Sequence, residues 1–131
     1  MDDVLILPGA SASLVFGLDW LPLINGRASR VAYHIARRHG ATHLVFSGET
    51  APAVGLARLK LDRTQRGQVL NSAAQSVAHL FATGTIALLL ELDPARHWLV
   101  AVHEVAVVAR TDRLFRWGAD PEGVLEELTH S

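Results

Sequence analysis

Apolar residues recur along the chain at two spacings, which predict an alternation of strands and helices. Short apolar or alternating runs bounded by Gly, Pro, Asn or Asp are typical of strands. Two longer segments, 27–39 and 68–83, instead carry apolar residues every three or four positions, which is the helical spacing. The predicted strands cover 3–7, 11–18, 42–47, 53–61, 86–92, 98–102, 105–109 and 114–117.

The first predicted helix separates an apolar face from a basic one. Gly40 follows its last turn, in the position where glycine most often ends a helix. The apolar face consists of Ala28, Val31, Ala32, Ile35 and Ala36. The basic face consists of Arg27, Arg30, His34, Arg37 and Arg38. We interpret the four arginines as a candidate contact surface whose charge would steer association more than fix affinity.

The second predicted helix has an outer face that is polar but carries no formal charge. No Asp, Glu, Lys or Arg occurs between Gln68 and Thr83. A freely solvated helix usually mixes charges into its outer face, so we expect this face to be partly covered. Its candidate partner-binding residues are Gln75, Ser76 and His79. The apolar face is predicted to hold Val69, Leu70, Ala73, Val77, Leu80 and Phe81.

The order of these elements predicts an α/β (α+β) fold in one domain, residues 1–131. We expect a mixed β-sheet with two main helices packed on it. The segment 62–67 is polar and predicts a loop, and Asp120-Pro121-Glu122 predicts the start of a short C-terminal helix. The almost unbroken apolar run 86–92 suits a strand that is covered on both faces.

Composition and charge narrow the class of protein. The chain has 131 residues and no cysteine, so disulfides and thiolate metal sites are excluded. Its net charge is −1, so its overall charge does not attract nucleic acid. No apolar run reaches the ~20 residues of a membrane-spanning helix. The N-terminus, Met1-Asp2-Asp3, is acidic, unlike a secretory signal. We therefore expect a cytoplasmic domain with no membrane insertion of its own.

The search for chemistry leaves no catalytic motif, cofactor site or metal site. The seven histidines lack a metal-ligand spacing; His34 and His39, for example, do not share a helical face. Neither a nucleophile elbow nor a glycine-rich phosphate loop is present. Three tryptophans, Trp20, Trp98 and Trp117, are interpreted as core residues.

Several short segments, taken in order, resemble the PilO-type pilin accessory proteins of type IVb pilus systems. Residues 16–23 read Phe-Gly-Leu-Asp-Trp-Leu-Pro-Leu and are similar to the family's opening segment. Residues 41–43 (Ala-Thr-His) and 53–57 (Ala-Val-Gly-Leu-Ala) resemble its next strand pair. Residues 97–103 (His-Trp-Leu-Val-Ala-Val-His) and 112–115 (Asp-Arg-Leu-Phe) resemble a later strand and its continuation.

The resemblance implies the N-terminal cytoplasmic domain of a longer protein that is tethered to the inner membrane. It also implies a likeness to the cytoplasmic domain of type II secretion L-type proteins, and hence a reduced actin-like or RNase H-like fold. The function implied is that of a non-enzymatic adaptor or scaffold. Its expected partners are the secretion or assembly ATPase and neighbouring inner-membrane platform proteins, and not nucleic acid.

Two other functions remain open at this stage. A small-molecule or nucleotide-binding domain would need a pocket with convergent polar groups near Asn25, Gly26 and Gly48. A self-associating module would form a homodimer by packing the charge-poor face of the second helix against its symmetry mate.

Overall fold

The computed structural model describes residues 4–23, 28–48, 53–81 and 83–116, which form ten strands and three helices. The strands are β1 (Leu5–Pro8), β2 (Ala12–Phe16), β3 (Asp19–Pro22), β4 (His43–Ser47), β5 (Ala53–Ala57), β6 (Val69–Ser72), β7 (Thr85–Asp93), β8 (Arg96–His103), β9 (Ala106–Val107) and β10 (Arg113–Arg116). The helices are α1 (Ala28–Arg38), α2 (Arg63–Arg66) and α3 (Ala73–Leu80).

The strands belong to three sheets. The first has the order β1-β2-β6, with β1 antiparallel and β6 parallel to β2. The second has the order β3-β5-β4 and is antiparallel. The third has the order β10-β8-β7, with β9 also paired to β8, and is antiparallel. We expected one mixed sheet, whereas only the first of the three mixes parallel and antiparallel pairs.

The hydrophobic core formed by the described residues has two parts. The larger part joins the three sheets and the buried face of α3, and it contains both Trp20 and Trp98. The smaller part joins Ala32 and Ala36 of α1 to β5. Gly55 of β5 lies against Trp20, where a Cβ would come within 2.9 Å of the indole ring. Only glycine therefore lets β5 approach β3 this closely.

Several sequence predictions are confirmed. The α+β class is correct, and α1 ends one residue before the predicted boundary. Gly40 follows α1 with a φ of 69°, the left-handed conformation expected after a helix. Trp20 and Trp98 are 1% and 2% exposed. Trp117 and the predicted C-terminal helix at Asp120 lie outside the described residues.

The second predicted helix is wrong in its first turn. Residues 69–72 form β6, and α3 begins only at Ala73. The physical reason is tertiary: β6 pairs with β2, and Ser13 Oγ of β2 donates to Gln68 Oε1 at 2.7 Å. Val69, which we expected in the buried helical face, is 61% exposed. The predicted loop 62–67 contains α2, which Asp62 caps.

Two further predictions are corrected at the level of single strands. Residues 19–22 form β3, although we expected only an exit from the preceding strand. β7 is a strand as predicted, but it is not covered on both faces, because Leu89 and Leu90 point to opposite faces of the sheet and both are exposed. Within the described residues, β7 also lies at the edge of its sheet. An apolar run therefore does not show whether a strand is central or at an edge.

Candidate functional site

A cleft with a volume of about 440 Å³ opens between two parts of the fold. One side is formed by β4 and β5, and the other by β6 and the first turns of α3. Val15, Leu18, Phe46 and Leu70 contribute apolar surface to it. Its polar lining residues are His43, Asn71, Ser72, Gln75, Ser76 and His79. The described residues that line the cleft include no Asp, Glu, Lys or Arg, so its surface is polar without formal charge.

All three residues predicted on the charge-poor helical face lie in this cleft. The Oγ of Ser72 caps α3 by accepting a hydrogen bond from the backbone N–H of Gln75 at 3.1 Å. This cap starts the helix so that Gln75, Ser76 and His79 follow on the cleft side. We expected this face to be partly covered, and within the described residues only Gln75 is partly buried, whereas Ser76 and His79 are exposed.

The side-chain amide of Gln75 is only half satisfied. Its nitrogen lies 3.0 Å from Nε2 of His79. Its oxygen, Oε1, is buried and has no hydrogen-bond partner among the described residues. A buried amide oxygen without a donor costs about 1–3 kcal/mol. Because this oxygen has essentially no solvent-accessible surface, a molecule in the cleft could reach it only if the Gln75 side chain changed its rotamer.

His43 lies on the opposite side of the cleft from His79. Nδ1 of His43 is 2.8 Å from Oγ1 of Thr42, and that hydroxyl also accepts a hydrogen bond from the backbone N–H of Leu59. Nε2 of His43 makes no hydrogen bond with a described residue. The two sides of the cleft thus offer imidazole, amide and hydroxyl groups, all of which can donate or accept hydrogen bonds.

The predicted basic face of α1 lies elsewhere and does not line the cleft. Arg30, Arg37 and Arg38 are exposed and form no ion pair within the described residues. Arg27 lies outside the described residues. Val31, which we placed on the apolar face of this helix, is 42% exposed, so the basic face also presents apolar surface. The structure therefore separates the two sets of candidate residues.

A second cluster, which the sequence analysis missed, is centred on the buried carboxylate of Asp112. Its Oδ1 accepts hydrogen bonds from the backbone N–H of Gly17 at 2.9 Å and from Nε1 of Trp98 at 2.6 Å. Its Oδ2 accepts from the backbone N–H of Leu18 and from Nε1 of Trp20, both at 3.0 Å. Burial raises the pKa of Asp112, and the four donors act in the opposite direction.

One signal in the sequence could have indicated this cluster. A buried indole N–H usually finds an acceptor, and Trp20 and Trp98 were both expected in the core. Asp112 is not among the residues that line the cleft. Leu18 does line the cleft, and Asp112 accepts a hydrogen bond from its backbone N–H. We therefore assign Asp112 a structural role behind the cleft.

The pocket that a nucleotide-binding domain would require near Asn25, Gly26 and Gly48 stays a prediction. Gly48 does not line the cleft described above, and Asn25 and Gly26 lie outside the described residues. Among the described residues, no three His, Asp or Glu side chains are grouped as metal ligands would be.

No helix in the described part of the chain has the length and apolar character needed to cross a bilayer. Comparison of the chain with protein-family models and with curated protein sequences gave no significant match.

Proposed function

We propose that this chain is a non-enzymatic adaptor domain that binds a peptide segment of a partner protein in the cleft beside α3. The observation that carries this proposal is the cleft itself, whose lining combines apolar residues with polar groups that carry no formal charge. A peptide supplies main-chain N–H and C=O groups for the polar lining and apolar side chains for Leu18, Phe46 and Leu70.

The character of the lining favours a peptide over a nucleotide. Phosphate groups are usually held by Arg, Lys or converging backbone N–H groups. The described lining residues include no cationic side chain, and the exposed arginines lie on α1. In this proposal Arg30, Arg37 and Arg38 attract an acidic partner surface and raise the association rate.

The resemblance to PilO-type proteins supplies the proposed setting. In that setting the domain is tethered on the cytoplasmic side of an inner membrane and docks a pilus or secretion ATPase or a platform protein. A reduced actin-like fold is part of the same proposal. It is supported by the sheet β1-β2-β6, where antiparallel and parallel pairs meet at β2 and α3 follows β6 directly.

The cleft is tested by filling it. Ser76→Tyr places a large side chain in the cleft, and Thr64→Tyr makes a comparable change at an exposed residue of α2 outside it. Binding of each variant to the pilus or secretion ATPase of the source organism is measured by titration calorimetry. We expect S76Y to weaken binding roughly tenfold or more and T64Y to leave it unchanged. Equal binding by both variants would contradict the use of the cleft.

The basic face of α1 is tested separately. Arg30→Glu combined with Arg37→Glu reverses two exposed charges without altering the buried side of the helix. We expect a slower association rate whose dependence on salt is weaker than that of the unmodified chain. An unchanged association rate would show that the basic face of α1 does not contribute to binding, and the proposal would then rest on the cleft alone.

A small-molecule site is the second candidate, because the cleft volume lies within the range of about 300–1,000 Å³ found for ligand pockets. A thermal shift screen with nucleotides separates the two candidates. A rise in melting temperature of several degrees with one nucleotide, absent in S76Y, would favour the small-molecule site.

A further inference from the structure

Strand β7 leaves one edge without a strand partner in the described part of the chain. β7 pairs with β8 through residues 85–91 and 93, and no other described strand pairs with it. It is the longest described strand, and its stretch 86–90 reads Ile-Ala-Leu-Leu-Leu. Leu89 and Leu90 are 42% and 44% exposed. The edge contains no Lys or Pro, the residues that commonly protect a sheet edge from pairing.

The hydrogen-bond pattern shows which backbone groups this edge presents. The backbone N–H of Glu104 donates to the carbonyl of Gly84, in register with the pairing of Thr85 and His103. In an antiparallel pair every second residue bonds to the partner, so the even-numbered residues of β7 bond to β8. The N–H and C=O groups of Thr85, Ala87, Leu89 and Glu91 therefore point away from β8.

We infer that two copies of this chain pair through β7, antiparallel, about a two-fold axis at Leu88. This register places Thr85 opposite Glu91 of the second copy and Ala87 opposite Leu89 of the second copy. The residues of each pair exchange hydrogen bonds through the backbone N–H and C=O groups that point away from β8. It also places Ile86 opposite Leu90, so apolar side chains meet apolar side chains on the same face of the sheet. The dimer joins two copies of the β10-β8-β7 sheet into one continuous sheet.

Two observations favour a second copy over another partner. First, the strand is self-complementary about Leu88, with polar residues at 85 and 91 and apolar residues between them, as an isologous interface requires. Second, the polar side chains at the two ends of the interface are complementary. Thr85 is hydrogen-bonded to His103 on β8, and Glu91 of the second copy lies on the same face of the sheet as this pair, where its carboxylate can accept a hydrogen bond. This interface is distinct from the cleft and from the face of α3.

The register is tested by charge repulsion and rescue, using sedimentation velocity of the isolated chain across a wide range of concentration. Thr85→Glu sets a second carboxylate opposite Glu91 of the other copy in two symmetric pairs, and we expect the dimer dissociation constant to rise roughly tenfold. Thr85→Glu combined with Glu91→Lys pairs opposite charges and restores dimerisation. Within one copy these positions lie about 20 Å apart, so a monomer offers no route for the rescue.

The edge as a whole is tested by a matched pair of lysine variants. Leu89→Lys adds a charge on the unpaired edge, whereas Leu80→Lys changes a leucine of α3 that is 77% exposed and lies outside β7. We expect L89K to be monomeric and L80K to remain dimeric. The inference is overturned if the unmodified chain is monomeric throughout, if T85E/E91K fails to restore the dimer, or if L80K and L89K dissociate alike.

Discussion

The Asp112 carboxylate joins parts of the chain that are far apart in sequence. It accepts hydrogen bonds from residues 92 positions away (Trp20) and 14 positions away (Trp98). Asp112 itself has a φ of 63°, a left-handed conformation that Asp and Asn tolerate better than most residues. A single side chain thus fixes both buried indoles and the turn at Gly17 and Leu18.

Asp112→Asn tests this role while keeping the size and the backbone preference of the side chain. The amide nitrogen of asparagine donates hydrogen bonds, so it would face N–H donors in place of an acceptor. We expect the free energy of unfolding at neutral pH to fall by about 3 kcal/mol, measured by urea unfolding. An unchanged urea midpoint would show that the four hydrogen bonds contribute nothing net.

The raised pKa of Asp112 gives the stability a pH dependence of known sign. Between the ordinary pKa of an aspartate and the higher folded-state pKa, the native state holds a proton that the unfolded state has lost. The contribution of Asp112 to the free energy of unfolding therefore decreases as pH rises through this window and is constant above it. We expect the stability difference between the unmodified chain and D112N to narrow from acid towards neutral pH, measured by urea unfolding at each pH. A difference independent of pH would contradict the raised pKa.

At the scale of elements, the turn between β8 and β9 carries backbone strain. Its two residues, Glu104 and Val105, have φ values of 47° and 68°. Two-residue hairpin turns of this kind favour Asn-Gly, because a β-branched side chain is disfavoured at positive φ. The turn nevertheless forms, because Val107 on β9 is held by Ser47: its backbone N–H donates to Ser47 Oγ at 2.9 Å.

Val105→Gly relieves this strain. We expect the free energy of unfolding to rise by about 0.5–1 kcal/mol, since the relief exceeds the conformational entropy that glycine adds to the unfolded chain. Thermal unfolding followed by circular dichroism measures the change. Val108→Gly is the control, since Val108 is not among the described residues with positive φ, and it should gain no stability. A V105G variant less stable than the unmodified chain would contradict the claim that Val105 is strained.

The boundary between β6 and α3 shows how two elements can share one apolar pattern. Residues 69–83 have helical spacing, yet the first four form a strand because β2 offers a parallel partner. Ser72 then serves both as the last residue of β6 and as the cap of α3. The cleft depends on this boundary, since Asn71 and Ser72 line it from the strand while Gln75 and Ser76 line it from the helix.

At the scale of the whole molecule, the three sheets are joined at the Asp112 cluster. Trp20 belongs to β3, Trp98 to β8, and Gly17 and Leu18 lie between β2 and β3. Phe16 of β2 packs edge-on against Trp98 with ring centroids 4.8 Å apart. We therefore expect the sheets to unfold together.

Hydrogen exchange tests this cooperativity. The indole N–H protons of Trp20 and Trp98 should exchange only when the whole domain unfolds, because both are buried and bonded to Asp112. Their exchange rates, measured by NMR, should match those of the most protected backbone amides. Rapid exchange of one indole alone would show that its sheet opens independently.

The sequence by itself determined the elements whose signal is local. The periodicity of residues 27–39 predicted α1, its exposed arginines and its end before Gly40. The alternation and size of apolar residues predicted most strands and the burial of Trp20 and Trp98. The charge-poor face of Gln75, Ser76 and His79 was also readable, because the absence of charge over one helix is a property of neighbouring residues.

Only the tertiary structure decided the features that depend on distant partners. The four donors to Asp112, the division into three sheets and the edge position of β7 each follow from which strands pair, and strand pairing depends on packing between segments far apart in sequence. The cleft arises in the same way, from the separation of β4 and β5 from β6 and α3. Local periodicity shows which face of a segment is apolar, but it does not show which other segment packs against that face.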